Sequence, residues 1–184
     1  SAGGVQLLGK AQPALPLVDA VAYSQKEAWL VAADGGGSSL ELVNPTLDNG
    51  SDRVWRASLS PNGTPGAANS RLDEPVVIGE TPARGTSGVG LTQITVTFSS
   101  AVRNVSASNL TVDGAPAKSV TGSGSGPYVF AIDPPKAGTP QVVLGSGVIE
   151  SADRRVFAGA NWQYFSPPTT TLSLPDTANA GTGA

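Results

Sequence analysis

The chain has 184 residues, a net charge of −3, 39% hydrophobic and 14% charged residues, 23 glycines, 15 prolines, and no Cys, His or Met. That length suits one or two small domains; the missing Cys and His exclude disulfides, zinc sites built on those side chains, and every triad that uses either. The 11 basic residues are scattered rather than clustered, which argues against a nucleic-acid partner, and no apolar run reaches the ~20 residues of a membrane helix, so no membrane insertion is expected.

Low charge with many turn formers and abundant Thr, Ser and Val points to an all-β fold. In chain order, "GVQLLG" (Gly4–Gly9), "PLVDAVAY" (Pro16–Tyr23), "SSLELV" (Ser38–Val43) and "RVWRASL" (Arg53–Leu59) read as strands. Alternation in the third places Glu41 on the face opposite Leu40 and Leu42. Asn49-Gly50 and Asn62-Gly63 are turn dipeptides that tolerate positive φ. "GTPGAANSRLDEP" (Gly63–Pro75) reads as a linker, with the boundary near Ser70.

Beyond it, "LTQITVTF" sets Ile94, Val96 and Phe98 on one face. "SASNL" (Ser106–Leu110) suggests one helical turn, and "NLTVDG" ends in an Asp113-Gly114 turn. "AKSVTG", "PYVFAID", "PQVVLG" and "NWQYF" follow at intervals of about ten residues, a sandwich spacing. Tyr128, Phe130 and Ile132 share a face, as do Trp162 and Tyr164. The predicted division is 1–70, 71–166, and a Pro/Thr/Gly-rich linker or tail at 167–184. Lacking an initiator Met, the chain reads as a piece of something longer.

Three chemistries compete for the loop "ADGGGSSLELVNPTLDNG" (Ala33–Gly50). A phosphate loop needs Lys-Ser/Thr and then a helix; here Ser38-Ser39 and a strand pattern follow. "GSGSG" (Gly122–Gly126) fails the dinucleotide test because it joins two strands. For calcium, Asp34, Asp48 and Asp52 supply oxygens alongside Asn44 and Asn49, although Asp and Asn also occupy turns for their own hydrogen bonds. Asp73, Glu74, Asp133, Glu150 and Asp153 form no recognisable glycosidase pair. Trp29 is the aromatic candidate for stacking on a glycan, while Trp55, Trp162 and Tyr164 are expected to serve the core.

The ordered elements "VDAVAY", Trp29, "ADGGGSSLELVNP", "WRAS" and "GTPGAANS" make Val18–Ser70 resemble the C-terminal half of a bacterial lamin-tail domain. Leu30 and Val54 depart from that pattern, where the family has Pro and Asn. The resemblance implies an immunoglobulin-like sandwich of about 100 residues, of which only the later strands are recognisable. The stretch Glu74–Ser166, with "ITVTFSSAV", "ASNLTV" and "GSGPYVF", resembles a bacterial Ig-like module of exported surface proteins. Together the two resemblances imply two immunoglobulin-like β-sandwich modules, the first incomplete, in an extracellular or cell-surface setting.

The function expected on this basis is a non-catalytic structural or adhesive segment of a large exported bacterial protein. Its partners would be neighbouring domains or copies of the same chain. Strand exchange between chains would use the "TLSL" residues Leu172, Ser173 and Leu174. The alternative is an accessory module of a secreted enzyme that binds a surface glycan or calcium; no other cofactor is expected. "LPDTA" (Leu174–Ala178) resembles a sortase motif without the apolar segment that completes one.

Overall fold

Alternating side chains force a strand to show one face to a core and one to water, and most of this chain obeys that rule. The computed structural model describes Ala33 and residues 35–168. Those residues are all-β, with 3-10 turns as their only helical pieces.

Strand β1 (Ser38–Leu42) pairs antiparallel with β2 (Trp55–Pro61). Asn62 and Gly63 both take positive φ, 63° and 82°, as the chain leaves β2. A 3-10 turn at Asp52–Val54, capped by the Ser51 hydroxyl, leads into β2. Glu41 does lie opposite Leu40 and Leu42, but burial runs against hydropathy: Glu41 is 3% exposed, whereas both leucines are only half-buried. The carboxylate faces the returning 64–71 segment, which supplies the hydrogen bonds that make its burial tolerable.

The remaining strands are β3 (Val77–Thr81), β4 (Gln93–Phe98), β5 (Val102–Arg103), β6 (Leu110–Val112) and β7 (Ala115–Pro116), then β8 (Ser119–Thr121), β9 (Tyr128–Ala131), β10 (Gln141–Leu144), β11 (Glu150–Ser151) and β12 (Ala160–Gln163). They form two four-stranded antiparallel sheets, ordered β3-β4-β9-β8 and β12-β10-β6-β7, with β5 and β11 paired separately. The inward residues of both sheets meet in one core. Ile94, Val96 and Phe98 of β4 and Phe130 of β9 join Leu110 of β6, Val142 and Leu144 of β10, and Trp162 of β12.

Phe98 sits at its centre, edge-on to Tyr128 (ring centroids 5.8 Å apart) and to Phe157 (5.4 Å). The buried phenols are satisfied. Tyr128 donates to the carbonyls of Val102 and Gly124, and Tyr164 to that of Pro82. Burial raises both phenol pKa values.

Asp113 and Gly114, with φ of 49° and 83°, make the tight β6–β7 turn. The "GSGSG" loop lies across the end of β4, where its carbonyls accept from Phe98 and Val102. Gly126 is required there: its φ is 107°, and a Cβ would stand 2.8 Å from the Val96 carbonyl oxygen.

Phe98→Ala should cost about 3–5 kcal/mol in urea denaturation, because it opens a cavity among three packed rings. Val89→Ala, at a residue 58% exposed, should change stability by less than about 0.5 kcal/mol.

Candidate functional site

Two buried carboxylates organise the region where the β1–β2 hairpin meets the sheets. The first is Glu41. Its Oε1 accepts from Thr64 Oγ1 (2.8 Å), and its Oε2 from Ser70 Oγ (2.7 Å) and the Arg71 amide (3.2 Å). Asn69 Nδ2 donates to the Leu42 carbonyl (2.9 Å), and the Asp73 amide to that of Val43 (2.7 Å). The segment read as a linker is therefore fastened to β1 along its length. Burial by itself would raise the Glu41 pKa; the hydroxyls of Ser70, Ser58 and Thr64 and the Arg71 amide outweigh it and lower it to about 2.

The second is Glu80 of β3, whose side chain is 1% exposed. Its Oε1 accepts from Arg53 Nη2 (2.6 Å), which belongs to the turn before β2, and from Arg84 Nε (2.5 Å). Val43, Val54 and Val76 form a small apolar cluster that also joins the hairpin to the chain entering β3.

Beside the arginines that Glu80 holds lies a cleft of about 550 Å³. One side carries Arg53, Arg56, Arg71 and Arg84, together with Asp52; the facing side is made by residues 143–146 and 158–161. Arg71 Nη1 pairs with Glu74 (2.6 Å), and its Nε donates to the Ala57 carbonyl (3.2 Å). Arg56 Nη1 donates to the carbonyls of Arg53 and Trp55, while its buried Nε has no acceptor among the described residues. Burial lowers the Arg56 pKa, with Glu74 opposing and Arg71 adding to the shift. Arg84 also lies 5.7 Å over the ring of Trp162.

The sequence treats these arginines as scattered. The available signal was their concentration: the window from Arg53 to Arg84 holds four of the 11 basic residues and no lysine.

The calcium candidates are not gathered by the described structure. Asp48 Oδ1 accepts from the Gly50 amide (2.9 Å) in a local turn, and Asp52 lies on the arginine cleft. Among the described residues no three acidic groups converge on a cation position. Asp34, Trp29, Leu172, Ser173 and Leu174 lie outside the described residues. Trp55 is half-buried, with its Nε1 donating to the Asn49 carbonyl (2.8 Å); Trp162 and Tyr164 are core residues. Three of the acids weighed for a glycosidase pair have separate basic partners: Glu74 has Arg71, Glu150 of β11 has Arg103, and Asp133 has Lys118. No family model matches the chain, and no curated protein matches it.

Glu41 titrates below its ordinary value of 4.5 when folded, so its contribution is complete above that pH and is lost as pH falls towards about 2. Carboxyl NMR titration should find it still ionised at pH 3. Glu41→Gln should destabilise the protein by about 1–3 kcal/mol at pH 7 and flatten the acid limb of its stability curve.

Proposed function

We propose that the chain is a non-catalytic structural or adhesive segment of a large exported bacterial protein, a spacer that holds two β modules at a fixed angle. The observation that carries this reading is the joint. Glu41 ties the returning segment to β1, Glu80 ties β3 to the turn before β2, and Val43, Val54 and Val76 close the gap between them. A flexible tether would leave those polar side chains to water; here they are bonded, which suits a part whose task is to keep distance and direction.

The finer fold assignment belongs to the same proposal. Taking β3, β4, β6, β8, β9, β10 and β12 as strands A to G, one sheet runs A-B-E-D and the other G-F-C, the order of an immunoglobulin-like sandwich. The hairpin with its "GTPGAANS" exit is read as the later part of a lamin-tail-like module. The setting is extracellular or at the cell surface. No helix among the described residues is long and apolar enough to cross a membrane.

Self-assembly is part of this reading. Among the described residues β1 pairs with β2 alone, and a two-stranded hairpin gains from a further strand supplied by a neighbour. Light scattering over a concentration series tests it: growth in mass supports exchange of strands, and a constant monomer removes assembly while leaving the spacer.

With no native cysteine, spin labels at Leu59→Cys and Val148→Cys, both exposed, report the joint directly. A single narrow distance is expected. Glu80→Gln should broaden it and cost about 3 kcal/mol or more, since two arginines lose their shared carboxylate. A broad distribution in the parent protein would defeat the spacer reading.

A further inference from the structure

The chain crosses the sandwich from one end to the other. Val77, at the start of β3, borders the same cleft as Ala160 and Asn161, at the start of β12, so both strands begin at one end. The chain leaves from the opposite end, where β12 runs on into Ser166. A pull on the two ends of the chain therefore acts along its first and last sandwich strands, in opposite directions.

Both strands are bonded so that such a pull slides them past their neighbours. β3 pairs antiparallel with β4 from Val77–Phe98 to Thr81–Thr95, and the Ser99 amide donates to the Val76 carbonyl (2.8 Å) where the chain enters. β12 pairs with β10 on one side, and its other side is not free. Residues 85–88, which follow β3, lie parallel to its end. The Gly85 amide donates to the Gln163 carbonyl (2.8 Å), the Phe165 amide to that of Thr86 (2.9 Å), and the Gly88 amide to that of Phe165 (2.8 Å). Ser166 and Gly138 then exchange two more bonds, of 2.8 and 2.6 Å, just before the chain leaves.

Direction decides how such bonds resist force. Two strands drawn apart from one end open one hydrogen bond at a time. Two strands drawn along their own axes load every bond between them together, and none yields until all do. A parallel pair is loaded in the second way when one strand is held through the chain before it and the other through the chain after it. Residues 85–88 and β12 are held in that way. We propose that the sandwich bears tension: pulled through the ends of the chain, it stays closed until the pairing of residues 85–88 with β12 shears. The inference rests on the spacer reading and gives that spacer a task under load. The relevant quantity is the barrier to opening and not the equilibrium stability, since forced unfolding follows the unfolding rate.

Local sequence supports the pairing. Gly88 allows the close approach, because a Cβ there would stand 3.1 Å from Tyr164 Cβ and push the segment off β12. Tyr164 and Trp162 point into the core from the same strand, so β12 cannot slide without drawing both rings out of it. The entry side is braced as well. Glu80 of β3 holds Arg84, next to the paired segment, and Arg53 of the turn before β2, so β3 is tied to the hairpin through which a pull from the N-terminal side arrives.

Single-molecule pulling on the full chain tests it with one variant, Val89→Cys. Val89 is exposed, directly follows the paired segment, and lies at the same end as Ser166. Held by its two termini, the protein loads the pairing along the strands. Held at position 89 and the C terminus, it peels the same bonds apart from Gly88 and Phe165 onward. The expected result is a rupture force through the termini about twofold or more above that through position 89. The terminal pull should release roughly 300 Å of chain from residues 77–166, distinct from the shorter release of the hairpin. Phe165→Pro removes the donor to Thr86 while keeping the β10 side of β12, and should narrow the gap between the two forces. Equal forces in the two geometries overturn the proposal, as does gradual extension without a discrete rupture from the termini, or a Phe165→Pro protein with both forces unchanged. Any of these together with a narrow spin-label distance would leave the spacer reading intact and remove this one; a broad distance with a high, directional force would fault the spacer alone.

Discussion

A carboxylate removed from water needs donors in its place, and the arrangement of this protein follows from how Glu41 and Glu80 obtain theirs. Glu41 collects two hydroxyls and an amide from residues 64, 70 and 71. In doing so it draws the chain leaving β2 back across the hairpin. Glu80 collects two guanidinium groups, one from each side of the joint. The direction of the hairpin relative to the sheets is set by these two sets of contacts, with the three-valine cluster of Val43, Val54 and Val76 beside them.

The arginine cleft is a consequence of that arrangement. Arg53 is turned inward because Glu80 holds it, and Arg71 is turned because the segment carrying it is fixed through Glu41. Arg56 then lies among these groups with its Nε unmatched, as are the second carboxylate oxygens of Glu74 and Glu80 among the described residues. A cleft lined by oriented cations in an acidic protein is thus coupled to the same contacts that join the two halves.

Legibility in the sequence varied with the strength of the local period. The alternation of Ile94, Val96 and Phe98, of Tyr128, Phe130 and Ile132, and of Trp162 and Tyr164 reports the inner faces directly, and all eight side chains are buried. The turns at Asn62-Gly63 and Asp113-Gly114 were also readable, since both adopt positive φ. Strand β3 was not read: Val76 and Val77 are both buried, Gly79 interrupts the pattern, and Ile78 is 45% exposed, so no clean period survives. The two-residue strands β5, β7 and β11 are too short to carry any period. The cleft was harder still, because its residues come from separate segments and each arginine in isolation looks like a solvated surface charge.

The sequence alone determined the all-β character, the inward faces of the long strands, and the absence of chemistry based on Cys or His, because each depends on local periodicity or on composition. Tertiary structure decided the rest. It put Glu41 inside and left Leu40 and Leu42 half-exposed, since burial depends on which segment comes back to face a residue and not on its own hydropathy. It also brought Arg53, Arg56, Arg71 and Arg84 to one place, because convergence of charges from distant segments is fixed by sheet topology and by the pairing of buried carboxylates, neither of which leaves a signal in a short window of sequence.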